Sequence, residues 1–294
     1  MANADVVIER LEDEGKMGPA RGILLKAGMA LAAVGSLACL RSIYLTACQL
    51  GRTDYLFLEP LTARDYTLGR NTSAIRRCVQ RALDRPDVRG VVIYASCMVI
   101  LAYWNADEIM AGLDNPRGVP VEIFYRGPMA KRRVPPMEAL RRIWERWGVV
   151  DEPELEPVKA EPVFDFDDRP DFEGVIETLK DEDCDILLLT PGGCKSCMSC
   201  QVPPVRVDNF RNTRFSDVFV WNCSVDKLCN AIAEYYDGNR PLYLLNTAVT
   251  QTIGVDLNML CKMLVARGIP AVAVETNGFD NTKAEQECFQ NQFE

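Results

Sequence analysis

Three cysteines recur at every third position in Cys194-Lys195-Ser196-Cys197-Met198-Ser199-Cys200. Thiolates are the soft anionic donors that iron–sulfur clusters and all-thiolate zinc sites take, and a C-x2-C-x2-C run brings three of them into one loop or helix start. The spacing matches the opening of the four-cysteine run that binds cubane clusters. The fourth cysteine and its proline are missing, however, and Pro203 and Pro204 stand there instead. A further ligand must then come from Cys39, Cys97, Cys184 or Cys223. Cys194 follows a strand-like run, Ile186–Leu189, and a Pro191-Gly192-Gly193 turn at which a helix should begin. Helix N-terminal amides favour anions, which lowers a thiol's pKa and suits ligation. Cys97 has the same placement after its own strand, and Cys39 follows a similar turn of small residues. Cys229 and Cys261 fall on helical positions and read as core thiols; Cys78 and Cys288 are assigned no role.

The chain has 294 residues, with 12 cysteines and no histidine. That excludes Ser-His-Asp and Cys-His nucleophiles and every imidazole-ligated metal. Acid–base work falls to carboxylates, Lys, Tyr, Cys or water. Residues 1–20 are charged with mixed sign and lack the apolar core of a secretory signal, so reduced thiols in a cytoplasmic setting are expected. A net charge of −9 argues against general nucleic-acid binding. Asp151 to Phe172 carries nine acids against two bases, and Arg126 to Val150 seven bases against two acids. Each run reads either as a solvated linker or as a docking surface for a charged protein. Ala27 to Leu40 is uncharged but shorter than the roughly 20 residues of a membrane span, and is expected to be a buried helix or elbow. Gly192-Gly193-Cys194-Lys195-Ser196 lacks the glycine before lysine that a phosphate loop needs, so ATP-driven chemistry would require another subunit.

Strand-like runs (Tyr55–Leu58, Val91–Tyr94, Val119–Tyr125) alternate with helical patterns at Asn71–Leu83 and Asn105–Leu113. A second block repeats the alternation, with strands at Ile186–Leu189, Asp217–Trp221, Leu242–Leu245 and Ile269–Val274 and helices at Val225–Tyr236 and Leu257–Ala266. Strand–helix alternation predicts parallel sheets. The blocks also correspond in order: Ser96-Cys97 after Val91–Tyr94 answers Thr247-Ala248 after Leu242–Leu245. Asp107 answers Asp256, each at a helix start, and Gly118-Val119-Pro120-Val121 answers Gly268-Ile269-Pro270-Ala271. The expected fold class is α/β, two tandem Rossmann-like parallel-sheet modules related by internal duplication. The expected division is a lead-in or docking helix at 1–21, a first module at 22–130, a basic helix and acidic Pro-rich linker at 131–183, a second module at 184–280 and a polar tail at 281–294.

These features together resemble the cluster-binding domain of the nitrogenase component 1 type oxidoreductases. The residues that carry the resemblance are Leu189-Thr190-Pro191-Gly192-Gly193-Cys194, Asp226-Lys227-Leu228, Thr247, Ile253-Gly254-Val255-Asp256, Ile269-Pro270 and Asn277-Gly278-Phe279. In the first block they are Ala95-Ser96-Cys97-Met98 and Asp107, and the likeness spans about Gly35–Gly127 and Cys184–Asp280. In that family two homologous subunits each contribute cysteines to an iron–sulfur cluster. The resemblance implies that this chain fuses two such modules, with Cys39 and Cys97 as ligands from the first, Cys194 from the second, and Cys197 or Cys200 completing the set. It departs from the pattern in having Ala248 where the second module should carry a cysteine, and in lacking the histidine of the family's His-Gly-Pro turn. Without histidine to anchor a molybdenum-type cofactor, nitrogen reduction is not expected.

The resemblance thus implies an anaerobic iron–sulfur oxidoreductase component, passing low-potential electrons through a cluster of the 4Fe-4S type to an unassigned substrate. It would take electrons from an ATP-dependent nitrogenase reductase-like protein, and a second copy of the chain in a homo-oligomer is its other candidate partner; neither nucleic acid nor a membrane is expected. The alternative is a non-catalytic scaffold or carrier that holds an iron–sulfur cluster or zinc.

Overall fold

The structure, a computed structural model, describes residues 5–10, 18–126, 130, 134–158, 169–192, 194 and 207–280. The chain forms two compact units, one from residues 15–167 and one from 1–14 with 168–294. Strand β1 (Val6–Arg10) belongs to the latter.

The 15–167 unit opens with α1 (Gly18–Leu24) and continues β2 (Met29–Gly35), α2 (Leu37–Leu50), β3 (Leu56–Pro60), α3 (Ala63–Thr67), α4 (Asn71–Leu83) and β4 (Gly90–Ala95). Then come α5 (Cys97–Leu101), α6 (Ala106–Ala111), β5 (Val121–Tyr125) and α7 (Pro136–Trp147). The strands lie in the order β3-β2-β4-β5, all parallel, with Leu31 opposite Leu56, Ala30 opposite Val91 and Val91 opposite Val121. β2 and β4 are buried along their whole length, as the central strands of a parallel sheet covered on both faces must be. On one face Ala30, Ala32 and Val34 of β2 and Val91, Ile93 and Ala95 of β4 meet Ala74, Ile75, Cys78 and Val79 of α4. The small β2 residues let that helix approach closely, and each fully buried Val or Ile contributes about 1.5–3 kcal/mol.

Residues 149–158 are tied into the same unit. Lys26 Nζ donates to the carbonyls of Val149 (3.1 Å), Val150 (3.3 Å) and Glu152, while Leu155 N–H donates to Leu25 O at 2.7 Å. Val158 N–H reaches Leu50 O, and Gly51, left-handed at φ 62°, lies so close that a Cβ there would collide with Val158 O. Basic α7 is paired too: Arg146 meets Glu122 of β5 at 2.7 Å.

The other unit contains α8 (Asp171–Leu179), β6 (Asp185–Leu188), β7 (Phe210–Phe215), α9 (Asp217–Asn222), α10 (Val225–Tyr235), β8 (Leu242–Leu245), α11 (Ala248–Thr252), α12 (Leu257–Val265) and β9 (Ala271–Val274). Its sheet runs β1-β7-β6-β8-β9, parallel except for β1, which pairs antiparallel to β7 with Val6 opposite Phe215. Setting β1 aside, β7-β6-β8-β9 has the same chain-order pattern as β3-β2-β4-β5.

Three local readings change. Asp217–Trp221 is helical, because Ser216 accepts the Phe219 N–H as N-cap, and the adjoining strand is instead Phe210–Phe215. The uncharged run Ala27–Leu40 is mostly strand β2 with the first turn of α2. Within residues 1–21, Val6–Arg10 is a sheet strand and α1 starts at Gly18. No helix among the described residues is long and apolar enough to cross a membrane.

Candidate functional site

In an open α/β sheet, ligands bind outside the carboxyl ends of the strands, where neighbouring connections leave in opposite directions. In the four-stranded sheet β2 leads through α2 to β3 on one side, and the chain then crosses to β4 on the other. The crevice therefore opens between the ends of β2 and β4, at Gly35-Ser36 and Ala95-Ser96. Two candidate thiols stand there. Cys39 is the third residue of α2 and is partly exposed; Cys97 is the first residue of α5 and is buried.

Gly35 brings the two loops together. A Cβ built on it would stand 3.4 Å from Ser96 Oγ and 3.6 Å from Cys39 Cβ. The absent side chain leaves space flanked by the Cys39 and Ser96 side chains. Tyr66 of α3 is electrostatically coupled to Cys39: burial first, and then Cys39, hold its phenol well above the usual range.

The serine hydroxyls at this edge do not cap their helices. Ser36 and Ser96 are the N-caps of α2 and α5, with the extended backbone that capping requires, yet neither side chain accepts a first-turn amide. Both Oγ atoms are buried and find no partner among the described residues. Five other described helices make the cap: Thr62 accepts from Asp65 N–H, Asn105 from Glu108, Ser216 from Phe219, Ser224 from Lys227 and Asp256 from Met259, whereas the Thr247 hydroxyl of α11 goes to Leu189 O. An N-cap bond is worth about 1 kcal/mol, and a buried polar group without a partner costs about 1–3 kcal/mol. Ser36 and Ser96 forgo it close in sequence to Cys39 and Cys97.

The equivalent crevice of the five-stranded sheet lies between β6 and β8, and its hydroxyls are satisfied. Thr247 Oγ1 and Thr250 Oγ1 both reach Leu189 O, at 3.0 and 3.3 Å. Ala248 opens α11 there as Cys97 opens α5, so this edge has one thiol fewer. Buried Cys194 follows β6 on that edge; Cys197 and Cys200 lie outside the described residues. Among the described residues no three Cys, Asp or Glu side chains gather as a metal-binding group. The structure does bring Cys39 and Cys97 to one crevice.

The other described thiols, apart from partly exposed Cys223, belong to the packing. Cys78 is fully buried against the sheet, its Sγ 3.8 Å from Ala33 O, and burial pushes it up to about 11. Cys261 is pushed up to about 11 in the same way, and burial also raises Cys48, Cys184, Cys223 and Cys229. A thiol in that condition is a poor thiolate donor. Asp256 does cap its helix, whereas at α6 the cap is Asn105 and Asp107 sits in the first turn.

Comparison with protein-family models, curated proteins and solved structures finds no match.

Three site features escaped sequence reasoning. A serine between a strand and a helix reads as a cap, so only geometry reveals that Ser36 and Ser96 are spare. Tyr66 meets Cys39 through tertiary packing alone. The third is Asp171, the fully buried first residue of α8. Its carboxylate accepts the amides of Phe172 (2.8 Å), Asn277 (2.5 Å) and Gly278 (2.7 Å), pinning the turn that follows β9. Burial outweighs those donors and pushes its pKa up to about 6.

The first crevice thus offers two thiols and two hydroxyls that have no partner among the described residues.

Proposed function

We propose that the chain is an iron–sulfur oxidoreductase component of the nitrogenase component 1 type. The observation that carries this reading is the pairing of Cys39, in the first turn of α2, and Cys97, which opens α5, at one strand-end crevice beside hydroxyls without a partner among the described residues. Cys39, Cys97 and Cys194 would be thiolate ligands of a cluster of the 4Fe-4S type, and Cys197 or Cys200 would complete the set. Such a cluster supplies one-electron transfer at low potential. The chain's own residues hold it: thiolates by ligation, the α2 N-terminus by favouring negative charge, and burial of Cys97 by keeping water away.

The shared order of the two parallel sheets supports the companion proposal, that modules 22–130 and 184–280 descend from a duplication. In the same reading the protein is cytoplasmic, receives electrons from an ATP-dependent reductase-like partner, and associates with a second copy of itself.

The test is anaerobic purification followed by iron, sulfide and zinc analysis and EPR of the reduced sample. Iron and sulfide should be present together, and Cys39→Ala, Cys97→Ala and Cys194→Ala should each lose most of them while Cys261→Ala keeps them. Near-stoichiometric zinc without iron or sulfide, even after reconstitution, would overturn the redox reading and leave a zinc-binding scaffold. Equal loss in the Cys261 variant would overturn the ligand assignment.

A further inference from the structure

Strand β5 ends the four-stranded sheet, and among the described residues no strand pairs with its outer edge. Val91 N–H donates to Pro120 O at 2.9 Å and Arg126 N–H to Ala95 O at 2.8 Å, with Val91 opposite Val121 in parallel register. The backbone of residues 120, 122, 124 and 126 is therefore turned toward β4. Alternate residues of a strand bond to opposite sides, so the N–H and C=O of Val121, Ile123 and Tyr125 point outward, a template for one more strand. Along this edge lies a cavity of about 200 Å³, lined by Glu122 and Phe124 of β5 and by Ala139, Arg142, Ile143 and Arg146 of α7. Those four α7 positions have the i, i+3, i+4, i+7 spacing of one helix face.

Charge and spacing decide what kind of strand fits. Two arginines line the cavity against one glutamate, and Arg126 follows at the end of β5. The run from Arg126 to Val150 holds seven bases and two acids. Arg142 and Arg146 are half exposed and pair with Glu138 at 3.2 Å and Glu122 at 2.7 Å. Exposed ion pairs contribute little, so exchanging one carboxylate for another costs little. The two arginines stand four residues apart on the helix, a rise of about 6 Å. Side chains on one face of a strand recur about every 6.6 Å, so carboxylates at alternate strand positions match the two guanidinium groups. The opposite face of such a strand lies beside partly exposed Ile123 and exposed Tyr125.

We propose that the groove between β5 and α7 docks an extended segment of a partner protein, one with acidic residues at alternate positions and apolar residues between them. The segment pairs with β5 as a fifth strand and is held there by main-chain hydrogen bonds. Its carboxylates meet Arg142 and Arg146, and its apolar side chains lie beside Ile123 and Tyr125. This inference is independent of the cluster reading.

The test is fluorescence anisotropy of the full-length protein with a short labelled peptide of alternating aspartate and valine. The controls are the same peptide with lysine for aspartate and a version with methylated backbone amides, which cannot pair. The aspartate peptide should bind saturably, and both controls about tenfold or more weakly. Arg142→Ala combined with Arg146→Ala should weaken the aspartate peptide as much, whereas Arg141→Ala, which lies outside the lining, should bind it like the parent. On binding, hydrogen exchange should slow at the Ile123 and Tyr125 amides. Absence of saturable binding overturns the proposal, as does unchanged exchange at those two amides. Equal binding of the methylated peptide would reduce the contact to charge attraction, and an Arg141→Ala loss as large as that of the double variant to a diffuse basic surface; either overturns it. A parent dimer that the double variant loses would give the groove to a second copy of this chain and overturn the partner assignment. The peptide controls are read on the parent protein, so the outcome stands even where a variant fails to fold.

Discussion

A serine at an N-cap is worth only the bond it makes. Ser216 makes its cap, to Phe219 N–H at 3.1 Å, and also reaches Asp5 at 2.9 Å. Ser216→Ala should therefore cost about 1 kcal/mol or somewhat more in urea unfolding. In the metal-free protein Ser36→Ala removes a buried hydroxyl that bonds to nothing, so stability should hold or rise by up to about 1 kcal/mol. A loss at Ser36 as large as that at Ser216 would mean that the hydroxyl is spent within the fold. Asp171 gives a pH-dependent test at the same scale. Its folded pKa, about 6, lies above the ordinary carboxylate value of about 4. Folding therefore favours the protonated form: the stabilising contribution is complete below about pH 4 and is lost as pH rises through about 6. Measured against Asp171→Asn, which cannot titrate, the parent should lose stability between those limits, and a constant difference would show that the shift is absent.

The elements explain why some of this was legible and some was not. α4 could be read to the residue, because Ala74, Ile75, Cys78, Val79 and Ala82 recur at helical spacing and all face the sheet. β4 was equally plain as an apolar run. β2 was not, because Met-Ala-Leu-Ala-Ala-Val-Gly is rich in the best helix former and only its place between β3 and β4 makes it a strand. β7 was hidden for the opposite reason. Its buried Asn212 and Thr213 break the apolar alternation; Asn212 Nδ2 donates to Glu9 and Thr213 Oγ1 to Thr190 O, contacts no local pattern announces. The cysteines of the site could be read as strand-end thiols, but the crevice depends on which strands are neighbours. The end of β2 is where this can be tested. A methyl on Gly35 would make ordinary contacts, 3.4 Å to Ser96 Oγ and 3.6 Å to Cys39 Cβ, without the strain of a left-handed residue. Gly35→Ala should fold to within about 1 kcal/mol of the parent. It should nevertheless bind less iron, because the methyl occupies the space flanked by Cys39 and Ser96. Full iron content in a folded variant would place the cluster away from the end of β2.

Across the whole molecule the thiols divide into two kinds, and chemical modification should separate them without reference to iron. Among the described cysteines Cys39 and Cys223 are the partly exposed ones, and the rest are buried. Cys78 and Cys229 are wholly inaccessible, and burial raises both pKa values, so thiolate and access fail together. In the metal-free native protein an alkylating reagent should label Cys39 and Cys223 first and leave Cys78 and Cys229 untouched until the chain unfolds, as read by peptide mass spectrometry. Reconstitution with iron and sulfide then becomes the decisive comparison. Cys39 should become protected by ligation, with Cys97 and Cys194 protected alongside it, while Cys223, which caps α9 far along the chain from any candidate ligand of the first crevice, should label as before. Protection of Cys223 together with Cys39 would signal a general closing of the protein, and protection of neither would remove Cys39 from the ligand set. The core thiols act as internal controls, since they report only unfolding. Twelve cysteines without a histidine would then resolve into a few that ligate and several that only pack.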